Sequence, residues 1–329
     1  MKKTFNPSRR QALATAAALA ACAFGGAHAQ SAWPGTQPIK LVVPCTAGSG
    51  TDIVARLVAE RLGPALGTSV IIDNKPGAGG TLGAALVAKA APDGYTVLIH
   101  SAGHLVNASI YPNLSYDTLK DFAGVTPLAT LPNVLVTGPD KFKDVKDLVA
   151  QAKAKPGSFN YGSAGNGSAT HMNAEVFRLA AGVQAQHVPF RGTPEAMTET
   201  MSGRIDWFFA PLVSSLPLIK DGKLKALAVG TAKRSASLPQ VPTTVEAGVP
   251  GSEYQFWVGL FAPAKTPRPV VERLHTEIAR IMATPEVKER LDKLGAEPFL
   301  MAPSEFDAFL VAETAKGQDV VKKAGIKVD

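Results

Sequence analysis

The sequence predicts an α/β fold built from two domains. At 329 residues the chain is longer than one ordinary domain of roughly 100 to 200 residues. Hydrophobic residues make up 46% of it and charged residues 19%, which is the composition of a soluble globular protein. Short β-branched runs alternate with helical patterns along most of the chain. This alternation predicts mostly parallel sheets that are covered on both faces by helices.

Residues 1–29 are predicted to form a secretory signal peptide, and we expect the protein to be exported to the periplasm. The segment has a basic start, the apolar run "ALATAAALAACAF" and the small-x-small site Ala27-His28-Ala29. "SRRQAL" is typical of the twin-arginine type. "LAAC" at 19–22 leaves open a lipoprotein that is tethered through Cys22. After cleavage at Ala29, Cys45 would be the only cysteine, so no internal disulfide is expected.

The net charge excludes a nucleic-acid partner. The formal charge of +7 falls to +3 once the four positive charges of the leader are removed. So mild a charge does not provide the electrostatic footprint of a protein that binds nucleic acid.

The order of the predicted elements divides the chain into domains. The predicted strands are residues 39–44, 69–73, 95–100, 133–138, 159–163, 184–190, 205–210, 223–230 and 256–263. The predicted helices are residues 52–66, 80–90, 145–155, 169–181, 194–202, 213–220, 269–283, 285–294 and 304–323. Two extended stretches, 124–138 and 254–263, are expected to carry the chain from one domain to the other and back. The first domain is therefore predicted at 30–132 and 256–329, and the second at 133–255.

Two loops with similar residues predict an anion site. "TAGSGTD" at 46–52 follows a strand and opens a helix, with glycines for tight backbone turns and hydroxyl groups as donors. An ordinary capped turn is the alternative for this loop. "NYGSAGNGS" at 160–168 repeats the design before a helix that Ser168 is expected to cap. Two such helix N-termini facing one cleft would suit an anion with carboxylates at one or both ends.

Other chemistries find little support in the residues. "PGAGGTLG" at 76–83 has glycine spacing like that of a dinucleotide site, but three residues separate its first glycine from the strand and no acidic ribose ligand follows. No G-x-S-x-G or H-E-x-x-H pattern occurs. His100 and His104 are four residues apart, yet they follow a strand, where helical spacing means little. We therefore predict no cofactor and no metal.

Three further features have both a functional and a structural interpretation. His171 lies in the first turn of the helix behind the second loop, either as a site residue or as a polar residue at the cleft edge. Arg191 follows Phe190 at a strand end, either as a buried carboxylate partner or as an exposed corner residue. "DWFFAP" at 206–211 is an aromatic strand that is expected to pack in the core, and one face of it could line an apolar slot.

In this order the motifs resemble the Bordetella uptake gene family, the substrate-binding subunits of tripartite tricarboxylate transporters. The resemblance spans essentially the whole chain after the leader. It is carried by the segments "PIKLVVPCTAGSGTDIVARLVAERLG", "NKPGAGGTLGAALVAKAAPDGYTVLI", "PNVLV", "FNYGSAGNGSATHM", "HVPFRGTPEAM", "KALAVGTAKRSASLPQVPTTVEAGVPG", "GLFAPAKTP" and "AGIK".

The resemblance implies a type II periplasmic binding protein with two Rossmann-like α/β domains that flank a ligand cleft and close like a flytrap. Such a protein captures a small carboxylate, a dicarboxylate or an aromatic acid, and delivers it to a permease of one large and one small membrane subunit. A monomer is expected. His171 is added to the residues that the resemblance implies, because it lies in the first helical turn behind the second loop. The predicted ligand-binding residues are Thr46, Ala47, Gly48, Ser49, Thr51, Asp52, Ser101, Ala102, Gly103, Ser163, Gly165, Asn166, Gly167, Ser168, His171, Phe190, Arg191 and Ala210.

Departures from the family pattern bear on the choice of ligand. Cys45 and Thr46 stand where the family often has an aromatic and a small residue, and Ala210 stands where some amino-acid binders place an aspartate. Without that carboxylate a ligand ammonium lacks a partner. Space near Cys45, with Phe190 and Phe209 nearby, favours a flatter acid. Two alternatives stay open: a periplasmic enzyme that acts on a small acid through an activated nucleophile such as Ser163, and a sensor that presents the acid to a signalling partner.

Overall fold

The computed structural model describes residues 33–327. The chain divides into two compact units, residues 1–35 and residues 36–329, and only residues 33–35 of the first unit are described. The predicted signal peptide and the alternative tether at Cys22 therefore lie outside the described residues. Among the residues described, no helix is long and apolar enough to cross a membrane.

The second unit contains eleven strands and ten α-helices within the described residues. The strands are β1 (Ile39–Val43), β2 (Val70–Asn74), β3 (Thr96–Ser101), β4 (Phe122–Thr130), β5 (Asn133–Thr137), β6 (Asn160–Ser163), β7 (Gln186–Pro189), β8 (Trp207–Pro211), β9 (Lys225–Val229), β10 (Trp257–Pro263) and β11 (Glu297–Pro298). The helices are α1 (Gly50–Leu66), α2 (Thr81–Ala88), α3 (Asn107–Ile110), α4 (Val145–Ala154), α5 (Ala169–Ala181), α6 (Thr193–Met201), α7 (Leu212–Lys220), α8 (Arg268–Ala283), α9 (Pro285–Lys293) and α10 (Pro303–Ala324). Two 3₁₀ turns, Ala78–Gly80 and Ala102–Val106, precede α2 and α3.

The strands form two sheets. The first has the order β11-β4-β10-β3-β1-β2, and the second has the order β7-β6-β8-β5-β9. The expectation of mostly parallel sheets is wrong, because β10 pairs antiparallel with both β3 and β4, and β5 pairs antiparallel with both β8 and β9. These strands lie where the chain leaves one sheet and enters the other. Parallel neighbours need a crossover connection, usually a helix, between the two strands. Antiparallel neighbours do not need one, so β5 and β10 can pair where the chain passes between the sheets.

β4 is a strand that the sequence pattern does not predict. The sequence predicts only an extended connection at 124–138, and Gly124 and Pro127 within it are residues that weaken a strand pattern. Its pairing with β10 is irregular at two places, and Pro127 lies next to one of them. A bulge accommodates proline because the ladder hydrogen bond is already interrupted there.

Each sheet is buried against its own helices by large aromatic residues. Trp207 and Phe209 of β8 pack with Phe177 of α5 in the second sheet's core. Trp257 of β10 packs edge to face against Phe306 of α10 in the first. Aromatic pairs of this geometry add stabilisation beyond the apolar area that they bury. "DWFFAP" is thus a core strand, as its structural interpretation expected.

The boundaries of the two predicted domains stay a proposal. The first sheet takes its strands from 39–130 and 257–298, and the second takes its strands from 133–229. This membership supports a discontinuous first domain with a second domain inserted into it. The carboxyl ends of β1, β3, β6 and β8 are the strand ends from which the loops of the candidate site extend.

Candidate functional site

Four helices begin at one small pocket, which we call the inner pocket. Its volume is about 40 Å³. Gly50, Ala169 and Thr193 are the first residues of α1, α5 and α6, and Pro211 directly precedes α7. The inner pocket is lined by Pro44, Cys45, Ser49, Gly50, Thr51, Gly79, His100, Ser101, Ala164, Ser168, Ala169, Thr170, Thr193, Pro211 and Phe256. Residues from both sheets therefore meet at the positive ends of several helix dipoles.

The lining of the inner pocket combines apolar surface with neutral polar groups. Of the described residues that form it, none is Asp, Glu, Lys or Arg. Its donors are the hydroxyl groups of Ser49, Thr51, Ser101, Ser168, Thr170 and Thr193, the imidazole of His100 and the thiol of Cys45. An anion at this place would accept hydrogen bonds from neutral groups and would be stabilised by the helix N-termini.

Asp52 organises the first loop instead of lining the inner pocket. Its carboxylate is buried and accepts hydrogen bonds from the backbone N–H of Gly48 (2.8 Å) and from Nδ2 of Asn74 (2.9 Å). It also accepts one from Nε of Arg56 (2.8 Å). Burial by itself would raise the pKa of Asp52, but these hydrogen bonds lower it overall. The carboxylate is thus ionised and fully occupied in holding the loop that precedes α1.

The second loop is held from behind by His171. The hydroxyl of Ser168 caps α5 by accepting the backbone N–H of His171 (3.2 Å). Nδ1 of His171 accepts the backbone N–H of Gly167 (3.1 Å), and its ring stacks on His187 with ring centroids 3.8 Å apart. On the other side, Nε2 of His171 lies 3.9 Å from Oε1 of the buried Glu175. His171 therefore supports the loop and does not line the inner pocket.

The buried His171 should make stability depend on pH. Burial, together with the nearby charge of Arg178, lowers the pKa of His171 to about 3. The unfolded chain protonates this residue near pH 6.5, so stability is present above that pH and is lost as the pH falls toward 3. Between pH 7.5 and 5.0 the loss from His171 should be about 2 kcal/mol.

Urea denaturation of the wild type and of His171→Gln at both pH values measures this loss. The difference in unfolding free energy between the two proteins should shrink by about 2 kcal/mol at pH 5.0, because only the wild type loses the contribution of this residue. A difference that stays the same at both pH values would contradict the expectation.

Two hydrogen bonds connect the loops of the two sheets beside the inner pocket. Oγ1 of Thr46 donates to Oε2 of Glu195 (3.1 Å), and the backbone N–H of Thr193 donates to Oγ of Ser49 (3.2 Å). The loops approach so closely that a Cβ at Gly192 would lie 1.9 Å from Oγ1 of Thr46. The loops of the two sheets are therefore in direct contact in the described conformation.

A larger cavity adjoins the inner pocket, and we call it the outer cavity. Its volume is about 410 Å³, and it shares Gly79 and Ala164 with the inner pocket. It contains two charged residues, the exposed Arg191 and the half-buried Glu195. The outer cavity is lined by Gly77, Ala78, Gly79, Gly80, Tyr111, Ala164, Gly165, Asn166, Pro189, Phe190, Arg191 and Glu195. Arg191 thus takes the exposed position that was one of its two interpretations.

The predicted site residues fall into three groups by position. Ser49, Thr51, Ser101 and Ser168 line the inner pocket. Gly165, Asn166, Phe190 and Arg191 line the outer cavity. The others lie in or behind the same loops without lining either space, and they are Thr46, Ala47, Gly48, Asp52, Ala102, Gly103, Ser163, Gly167, His171 and Ala210. The ligand-binding role of all of them stays a prediction.

Several lining residues were not among the predicted ones. His100 directly precedes Ser101 at the end of β3, so the rule that strand ends build sites could have found it. Thr193 opens α6 and could have been found in the same way. Phe256 precedes β10, far along the chain, and no local signal marks it. Within 33–327, no group of His, Cys, Asp and Glu side chains could hold a metal ion.

Comparisons with known proteins identify the family. Residues 54–326 match the model of the tripartite tricarboxylate transporter family receptor. BugT of Bordetella pertussis is 32% identical over 295 residues, which cover 89% of this chain and 90% of BugT. The fold also matches that of solved structures. A protein from R. palustris solved with adipate is 36% identical, with a TM-score of 0.86 over 90% of this chain and 100% of that one.

A second solved relative is MatC from Rhodopseudomonas palustris with bound malate. It is 33% identical, with a TM-score of 0.83 over 88% of this chain and 100% of MatC. These matches confirm the predicted fold class and the resemblance to the Bordetella uptake gene family. The chain therefore belongs to the family of tripartite tricarboxylate transporter receptors, to which the Bug proteins also belong.

Proposed function

We propose that this protein is a periplasmic solute-binding protein that captures a small organic carboxylate between its two domains. The single observation that carries the proposal is the inner pocket, where helix N-termini and neutral donors from both sheets meet without a charged side chain. This arrangement stabilises an anion without a countercharge that would hold it permanently. Reversible capture is what a protein that hands its ligand on requires.

The sizes of the two spaces support an acid with an extended body. At about 40 Å³ the inner pocket exceeds the roughly 10–15 Å³ that a cavity needs to hold one water molecule, so it has room for a small group such as a single carboxylate. The rest of the ligand would extend past Gly79 and Ala164 into the outer cavity. There, Arg191 could pair with a second carboxylate, while Tyr111 and Phe190 could contact a ring. A dicarboxylate or an aromatic acid fits this arrangement, and relatives were solved with the dicarboxylates adipate and malate.

Membership of the family supports delivery of the acid to a membrane permease. Receptors of tripartite transporters serve a permease, which we expect to consist of one large and one small membrane subunit. The predicted signal peptide at 1–29 supports a periplasmic location, and we keep the expectation of a monomer. A sensor that presents the acid to a signalling partner would use the same pocket. Normal uptake of the acid by a strain that lacks this protein would favour the sensor.

Thermal unfolding of the purified mature protein with adipate, malate and benzoate tests the proposal. A ligand present at 100 times its Kd should raise the unfolding free energy by about 2.7 kcal/mol. The dimethyl ester of adipate is the matched control, since it keeps the carbon chain and loses both charges. Equal stabilisation by adipate and its ester, or no stabilisation by any acid across a broader panel, would overturn the proposal.

An enzyme is the second candidate because Ser163 and His187 are close. Oγ of Ser163 lies 2.6 Å from Nε2 of His187, which is within the range of a nucleophile and its base. Ser163 is fully buried, however, and Oγ also accepts the backbone N–H of Gly165 (3.0 Å). It does not line the inner pocket. We therefore propose a supporting role for this pair; turnover of a bound acid that Ser163→Ala abolishes would favour the enzyme.

A further inference from the structure

One ring nitrogen of His100 has no hydrogen-bond partner within residues 33–327. The residue lies one position before the end of β3, and its side chain is 5% exposed and lines the inner pocket. Nδ1 accepts a hydrogen bond from the backbone N–H of Ser101 (2.8 Å). A nitrogen that accepts a hydrogen bond carries no proton, so the neutral imidazole has its proton on Nε2. Burial lowers the pKa of His100 to about 3, so the ring is neutral at the pH of the cell.

The Nε2–H group of His100 is an unpaired donor. No acceptor contacts it among the described residues, although it is buried. Buried donors are nearly always paired, because an unpaired one loses its hydrogen bond to water without compensation. A second lining group, Oγ1 of Thr193, is likewise buried without a partner in the described part of the chain. His100 lies in β3 of the first sheet, and Thr193 opens α6 after β7 of the second sheet, so the two groups come from opposite sheets.

We propose that His100 is a specificity-determining residue that donates a hydrogen bond from Nε2 to a carboxylate oxygen of the ligand. This inference rests on the proposed function and adds the chemistry of the bound group. A neutral donor beside helix N-termini favours an acceptor oxygen and disfavours a ligand ammonium group. The same donor explains how an acid is recognised without an arginine in the inner pocket. It selects acids over amino acids whose ammonium group would lie at this place.

The chain provides a matched control in His104. It lies four residues later and is also fully buried, with its ring centroid 5.1 Å from that of His100. Its ring packs among Tyr116, Phe122 and Phe261 and does not line the inner pocket. A change at His104 removes a buried imidazole from the same region but leaves the proposed donor in place.

Isothermal titration of adipate, malate and benzoate into the wild type and three variants tests the inference. His100→Phe keeps a ring and removes the donor, so affinity should fall at least tenfold, as expected for a lost hydrogen bond to a charged group. His100→Gln keeps an N–H donor and should recover part of the affinity. His104→Phe should bind within about threefold of the wild type. Imidazole ¹⁵N spectra should show a shift of the His100 Nε2 signal when the acid is added.

Three results would overturn the inference while the proposed function stands. In the first, His100→Phe binds an acid as tightly as the wild type does, with both proteins folded. In the second, the Nε2 signal does not change when the acid saturates the wild type. Binding lost equally in His100→Phe and His104→Phe would also count against it, since the effect would then be general damage to the region. A wild type that binds no acid would overturn the proposed function, and this inference with it.

Discussion

Gly103→Ala is expected to weaken ligand binding roughly 100-fold and to leave the free protein folded. A Cβ at Gly103 would lie 2.5 Å from the carbonyl oxygen of Gly167 and 3.0 Å from Cα of Ser168. These are backbone atoms of the loop from the second sheet, so no side chain can rotate away to make room. Overpacking of this kind costs about 1 to 3 kcal/mol, and closure of the loops would have to meet that cost.

The free protein can avoid the clash by keeping its loops apart. Gly103 does not have a positive φ, so alanine introduces no backbone strain of its own. The control is Gly138→Ala, where the nearest atom to the new Cβ would be 3.5 Å away. Titration calorimetry gives the affinities, and thermal unfolding without ligand gives the stability. Equal affinities for Gly103→Ala and Gly138→Ala would show that the close approach of the two loops is not needed for binding.

Most helices and strands could be predicted because each is encoded by its own residues. β1 is a continuous apolar run, and α1 follows a loop rich in small residues, so both are visible in the pattern of 39–66. β4 could not be predicted because Pro127 is tolerated only through an irregularity in the pairing with β10, which is more than 100 residues away. The antiparallel neighbours in both sheets depend on the same long-range pairing.

The candidate site could be predicted only where local pattern and pocket coincide. Ser49 and Ser168 stand where a loop opens a helix, and both line the inner pocket. Asp52 stands in the same kind of position, yet its carboxylate is used by Gly48, Asn74 and Arg56. Which way a loop side chain turns depends on partners from other parts of the chain. Phe256 lines the inner pocket through such long-range packing, which the residues around it in the sequence do not indicate.

Arg178→Met is expected to lower the unfolding free energy by about 3 to 5 kcal/mol, the largest loss of stability that we predict. Glu175 is 3% exposed, and Nη2 of Arg178 donates to its Oε2 at 2.6 Å. Nε of Arg178 also donates to the same carboxylate, at 3.1 Å, and Tyr161 donates its hydroxyl hydrogen to Oε1. Removal of the guanidinium leaves a buried carboxylate that lacks its countercharge, which costs more than the intact pair contributes.

Urea denaturation at pH 7.5 measures the loss, and Arg204→Met is the matched control. Arg204 pairs with Glu199 in a similar way, but this pair lies in solvent, where water and salt screen it, so its loss should be much smaller. The double variant Glu175→Gln with Arg178→Met should be more stable than Arg178→Met alone, because it removes the uncompensated charge. If Arg178→Met and Arg204→Met cost the same, or if the double variant regains nothing, burial of the Glu175 charge is not what makes this pair matter. Since Glu175 also lies beside His171, the same series shows how far the support of the second loop depends on this buried pair.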